Sequence, residues 1–281
     1  MSSALKQRIV FTLLMVTTVI VTIPVILIVG VILKHGAGAI NWQFLTTAPT
    51  HGMREGGIFP AIVGTLCLVV GAVVFAVPLG VFAAIYLNEY ATDGPLTRLI
   101  RLAIINLAGV PSVVYGLFGM GLFVVFLNFG SSILAGALTL AVMNLPVIIT
   151  ASKEALDAVP QSFREVSRSL GVSKWQTVRH IVLPNAIPGI LTGIILEVSR
   201  AAGETAPILF TVAAFYLPGL PKSVFSQVMA LPSHLFAIST QIPKISLETR
   251  YGTALVLLAL VFGVNFFAIL LRARLRSNRR W

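Results

Sequence analysis

Charge is scarce in this chain. Aspartate, glutamate, lysine and arginine make up 10% of its 281 residues, where a soluble domain carries about 25%. Hydrophobic residues make up 57%, and the mean hydropathy is +0.96. One aqueous fold cannot hide that much apolar surface, so lipid is the expected solvent for most of the chain. Cysteine is nearly absent. Cys67 stands alone, so no internal disulfide can form, and its place in an apolar run fits a small buried hydrophobe. The four histidines are scattered and make no cluster with cysteine, so no metal site is expected. No glycine is followed by lysine anywhere. That excludes the G-x-x-x-x-G-K-[ST] loop whose backbone amides cradle the phosphates of ATP.

Long uncharged runs are what the chain has in quantity. A spanning helix needs about 20 mostly apolar residues, and six stretches are expected to span: 9–33, 58–88, 102–127, 132–152, 186–214 and 251–271. The fifth alone has charges inside. The first lies between Arg8 and Lys34 and is 25 residues long. The apolar part of a signal peptide is typically about 7–15 residues, so an uncleaved helix is expected here.

Lysine and arginine counts orient the spans. With the N-terminus inside, fourteen of the twenty basic residues fall in inside segments and five outside, and Arg200 lies within a span. Both termini are therefore expected on the inside. This distribution also accounts for the net charge of +11: the cations hold topology and face anionic headgroups, and nucleic acid is not an expected partner. Two outer loops, about 34–57 and 215–250, carry Trp42, Phe44, Tyr216 and Phe236. Aromatics there suit the membrane interface and equally a soluble partner.

Between the fourth and fifth spans, residues 153–185 form a polar island. Pro160 can open a helix, and Gly171 suits a left-handed cap at its end. Ser173 can cap a second helix running from Lys174 to about Val182. Pro184 and Pro188 are expected to turn the chain into the next span, which leaves an exposed knuckle near Leu170–Ser173. By pattern alone this is an amphipathic helix pair at the membrane surface.

Charges inside the fifth span are the second sharp feature. Arg200 is expected to share a helical face with Glu197, three residues before it, and Glu204, four after. An ionised group in a span costs about 2.5–3.5 kcal/mol on insertion scales, so such residues usually line a bundle interior or a water-filled path. Two readings stay open. The three can form a self-neutralising ladder that only holds helices together. Alternatively, Arg200 gates or transiently binds an anion with its fork of donors, and Glu197 and Glu204 keep that binding weak enough for conduction.

The island resembles a known element. Glu165, then five residues, Gly171, nine residues, Ile181, one residue, Leu183 and Pro184 match the spacing of the EAA loop in permeases of ABC importers, with Val166 and Ser167 in place of two alanines. The resemblance implies an all-α membrane protein of six transmembrane helices with the type I importer permease (MetI-like) fold. It also implies that Glu165, Gly171, Ile181, Leu183 and Pro184 couple the chain to a separate ATPase subunit, which would hold the ATP and Mg that this chain does not. Residues 1–57 would be an N-terminal helix and outer loop, 58–271 a five-helix permease core, and 272–281 a basic cytoplasmic tail.

Four stretches narrow the resemblance to the phosphate-specific permeases: G-G-I-F-P-A-I-V-G-T-L (56–66), L-A-G-V-P-S-V-V-Y-G-L (107–117), S-R-A-A-G-E-T-A-P (199–207) and T-V-A-A-F-Y (211–216). The last points to the PstA type. Implied partners are a homologous permease, PstC; two copies of the ATPase PstB; and the periplasmic phosphate-binding protein PstS. The implied place is the bacterial inner membrane, with both termini cytoplasmic. Arg200 and Glu204 fall on that family's charged pair, whereas Glu197 is added by helix geometry alone. The island motif does not exclude sulfate or molybdate as cargo. A secondary transporter using Arg200, Glu197 and Glu204 as an ion relay is a rival of another class. An enzyme would need a nucleophile beside a positioned base, which this cluster does not supply.

Overall fold

The computed structural model describes residues 3–277. It is helical almost throughout. The exception in regular structure is a short antiparallel hairpin, Pro49–Thr50 (β1) against Glu55–Gly56 (β2). Among the described residues, five helical segments are long and apolar enough to cross a membrane, and a bent pair makes a sixth.

The first segment, α1 (Ser3–Gly36), is apolar on every side, and its side chains from Ile9 to Leu33 are mostly exposed. Such a helix belongs in lipid, where its backbone groups are satisfied internally. It lies along α12 (Leu247–Ser277). A short helix, α2 (Trp42–Thr46), follows in the loop after α1.

Three helices form the centre: α3 (Phe59–Ile85), α6 (Ile133–Asp157) and α9 (Leu183–Gly203), with α6 packed on both others. Small residues set the spacing of α6 and α9. A Cβ added at Gly193 would lie 2.4 Å from the Cβ of Ala151, and one at Gly189 2.6 Å from that of Ala155. Lipid is as apolar as leucine, so no hydrophobic force drives these helices together. Close backbone approach and dispersion hold them instead.

The third expected span, 102–127, is not one helix. The chain forms α4 (Pro95–Ala108) and α5 (Ser112–Gly119, continuing as a π-helical stretch Met120–Phe126), bent by 105° at Gly109–Pro111. Pro111 has no N–H to continue the ladder and pushes the residue before it away from helical backbone. The Tyr115 hydroxyl donates to the Leu107 carbonyl at 2.8 Å, beside the Val110 N–H at 3.1 Å, and so ties α5 back across the bend.

The fifth expected span also departs at both ends. No turn forms at Pro184 or Pro188. After α7 (Gln161–Ser169), α8 (Lys174–Thr177) runs through a π-helical turn, Val178–Val182, straight into α9. Pro184 cannot donate to residue 180, and the widened turn absorbs that mismatch; Asn185 Nδ2 donates to the Ile181 carbonyl at 2.8 Å alongside it. At its far end α9 stops at Gly203, and α10 (Ala206–Thr211) starts afresh.

The two loops expected outside pack together rather than spreading over a membrane surface. Phe44 is buried with Ile58, Leu231 and Ile238, although Trp42 remains exposed. The loop helix α11 (Leu231–Thr240) buries His234, whose Nδ1 makes no hydrogen bond. Desolvation pushes this imidazole from 6.5 down to about 4. At the other end of the chain, α12 continues to Ser277, through the first residues expected in the basic tail; 278–281 lie outside the described residues.

Candidate functional site

The polar island forms the expected helix pair. Pro160 precedes α7 in extended backbone, and Gly171 has φ +72°, the left-handed region open to glycine. Ser173 and Gln176 make a reciprocal capping box at the start of α8, with N–H to side-chain distances of 3.3 and 3.2 Å. Leu170 at the knuckle is 76% exposed, and Val166 and Trp175 are exposed with it. Apolar side chains held outward on a polar segment suit contact with another protein.

The residues named for coupling divide in two. Glu165 and Gly171 stand on the exposed side. Ile181, Leu183 and Pro184 lie in the continuous helix that roots the island, and Leu183 packs against the cluster of Leu156, Val178 and Val182. Sequence pattern alone does not single out Arg164. Its side chain is 7% exposed and meets Glu89, 6% exposed, at 2.7 Å. The one signal for it is Glu89 itself, a lone carboxylate closing an uncharged span.

The charged cluster sits where α9 ends. Arg200 is in the last turn, where a cation complements the helix dipole. Glu204 is already in extended backbone (φ −68°, ψ 132°), so it joins Arg200 from beyond the helix rather than from its face. Arg200 Nε donates to Glu204 Oε1 at 3.1 Å. The two side chains are 41% and 15% exposed. Among the described residues the terminal nitrogens of Arg200 have no hydrogen-bond partner, which leaves four N–H donors unpaired on a side chain that is partly exposed.

Glu197 is placed differently. It is buried, its Oε2 has no hydrogen-bond partner, and no ion pair joins it to Arg200 among the described residues. Two positions on, Ser199 hydrogen-bonds the Ile195 carbonyl and Asn265 of α12, fixing another side of α9.

The fold brings together two stretches far apart in sequence. Gly116 of α5 packs against Ala206, Pro207 and Phe210 of α10. Tyr115, which bridges the bend between α4 and α5, lies within electrostatic range of Arg200. The break at Gly109–Pro111 and the break at Glu204–Thr205 therefore flank one place. A helix break in a membrane is tolerated where it is buried in protein or lines a water-filled cavity.

Comparison with known proteins agrees with this architecture. Residues 76–280 match the family described as "Binding-protein-dependent transport system inner membrane component". The chain is 36% identical over 281 residues to "Phosphate transport system permease protein PstA 1" of Mycobacterium tuberculosis (strain H37Rv), covering 98% of this chain and 90% of that one. It is 35% identical over 248 residues to "Probable ABC transporter permease protein YqgI" of Bacillus subtilis (strain 168), covering 83% and 84%. Among solved structures it resembles a bacterial ABC transporter involved in the import of alginate (TM-score 0.69, 12% identity, 98% of this chain and 100% of that one). It also resembles the MetNI methionine ABC transporter (TM-score 0.59, 17% identity, 78% and 94%). At these identities the solved structures speak for the fold alone.

Proposed function

The chain belongs to the family of binding-protein-dependent transport system inner membrane components, and from that premise we propose that it is the permease subunit of an ATP-driven importer of inorganic phosphate. Its fold is that of the ABC importer permeases. Permeases of this family work in the bacterial inner membrane with a partner permease, a separate ATPase and a periplasmic binding protein.

The observation that carries phosphate as cargo is the identity, across nearly the whole chain, to permeases named for phosphate transport. The site's chemistry supports it. A guanidinium with free donors suits a tetrahedral oxyanion, and the paired Glu204 competes for it, so binding stays weak enough for release. In this reading Arg200 and Glu204 form a gate, exchanging their mutual bond for substrate, with Glu197 beneath them in the helix. The partner permease is of the PstC type, two PstB-type ATPases bind ATP and Mg, and a PstS-type protein delivers phosphate from outside. Both termini are cytoplasmic. The island docks on the ATPase through Glu165–Pro184, and nucleotide-driven closure moves it so that the path opens alternately to each side.

The test is uptake of radiolabelled phosphate into membranes that hold this chain and its partners, under ATP supply, with and without excess sulfate. Uptake that requires ATP and ignores sulfate is the expected result. ATP-driven uptake of sulfate instead would discard the cargo and keep the machine. Transport with no ATPase present would discard both.

A further inference from the structure

The second span ends in an unusual turn. Five residues, Tyr86–Tyr90, close α3 in π-helical geometry. Such turns are rare, and they carry a hydrogen-bond register that can revert to α. Four other elements hold this one. Arg164 of α7 forks onto Glu89, with Nη2 at 2.7 Å and Nε at 3.1 Å from Oε1. The same guanidinium donates to the carbonyls of Val159 at 2.8 Å and Leu156 at 2.9 Å, where α6 ends. Lys174 of α8 lies over the ring of Tyr90, 5.2 Å from its centre. Asn88 is hydrogen-bonded to Asp157 of α6, and Arg101 of α4 donates to the Leu87 carbonyl at 3.3 Å.

Both helices of the polar island thus grip one short turn, and that turn is also tied to α4 and α6. The grip is strongest at Arg164. A planar fork fixes its partner in direction as well as distance, and a pair buried on both sides is barely screened by water or salt. Lysine could supply the charge without the fork.

We infer that the Arg164–Glu89 pair, assisted by Lys174 over Tyr90, is the linkage that passes movement of the polar island to the end of α3 and, through Arg101, to α4 ahead of its bend at Gly109–Pro111. The inference rests on the proposed role of the island as the ATPase-docking element. Arg164 and Glu89 are positioning residues: they touch neither cargo nor nucleotide. Pulling the island shifts Glu89 with it, and the turn Tyr86–Tyr90 can yield by exchanging one hydrogen-bond register for the other.

The test uses the complete transporter, reconstituted in vesicles, and reads phosphate carried per ATP hydrolysed. Arg164→Lys and Glu89→Gln are expected to lower this ratio at least fivefold while the ATPase stays bound and hydrolyses ATP. A merely structural pair would lower uptake and hydrolysis together and leave the ratio unchanged, which would overturn the inference. Tyr90→Leu, outside the docking segment, removes the exposed contact with Lys174 and decides the matter if the buried variants fail to assemble. A ratio lowered by about half supports the linkage, and an unchanged ratio refutes it. Failure of the wild-type transporter to couple phosphate uptake to ATP would instead remove the proposed function itself.

Discussion

Arg200 and Glu204 are joined across the end of a helix, not along it. The 3.1 Å bond from Arg200 Nε to Glu204 Oε1 spans the last turn of α9 and the first extended residue after it. A carboxylate on a helix face is fixed by the helix. One held by a residue in extended backbone can move with a small change in two dihedral angles. The pair is therefore free to open, and under the proposed function the Arg200 nitrogens that have no partner among the described residues are where an anion would first arrive.

Replacing Arg200 with glutamine should then lower phosphate uptake at least tenfold. Losing a charge-assisted hydrogen bond is worth about 1.5–3 kcal/mol, and about 1.4 kcal/mol is already tenfold in an equilibrium. Arg200→Lys should fall between, since a point charge keeps the attraction but not the fork. Initial rates of radiolabelled uptake at equal amounts of assembled transporter provide the measurement. Full uptake by Arg200→Gln would mean that the pair only holds helices.

Much of this is legible in the sequence, and the misses share one cause. Single-residue grammar reads well: Gly171 is left-handed, Ser173 caps α8, and four of the six apolar runs each lie in one helix long enough to span. Prolines read poorly. Hydropathy places Pro111 inside the third span, yet it breaks that span; Pro184 has the look of a breaker, yet a π turn carries it. Whether a proline bends or ends a helix depends on the packing around it, here the Tyr115 hydroxyl on the Leu107 carbonyl and the Asn185 amide on the Ile181 carbonyl. Spacing groups Glu197 with Arg200; the structure buries Glu197 within electrostatic range of Arg200 and Glu204, with no ion pair to Arg200 among the described residues. The Arg164–Glu89 pair joins positions 75 apart, beyond any local pattern.

Gly171 offers a clean test of the knuckle. A Cβ there would meet nothing within 4 Å, so the cost of a side chain is purely its φ of +72°. Gly171→Val should destabilise the local turn by about 1–2 kcal/mol, loosening the Leu170–Ser173 tip without disturbing the spans. The expected outcome is weaker retention of the ATPase subunit on purification, with an unchanged melting temperature of the permease. Gly171→Asn, which tolerates this region better, should retain more ATPase. Equal retention in all three would show that the turn's shape is irrelevant to docking.

The contact of Gly193 with Ala151 should be sensitive to single carbons. Gly193→Val would force α6 and α9 apart and cost about 1–3 kcal/mol by overpacking. Thermal unfolding in detergent should show a drop of several degrees. Because the added Cβ points at the Cβ of Ala151, Gly193→Ala combined with Ala151→Gly should be more stable than Gly193→Ala alone. If the second change brings no recovery, the helices are not held by this approach.

His234 predicts a pH dependence with a definite direction. In an unfolded chain the imidazole binds a proton near pH 6.5, but buried in α11 it resists until about pH 4. Between those values the unfolded state binds more protons than the folded state, so stability falls as the pH falls. Above pH 6.5 the group adds no slope, and below pH 4 both states are protonated. Protonating the unfolded chain alone across that interval costs the folded state about 3 kcal/mol in all. His234→Gln keeps a polar side chain of similar length and removes the titration. Melting temperatures measured at pH 7 and at about pH 4.5 should therefore fall more for the wild-type permease than for His234→Gln. The comparison isolates His234 because every other titrating group is present in both proteins. An equal fall in both would show that the imidazole is protonated without leaving its pocket.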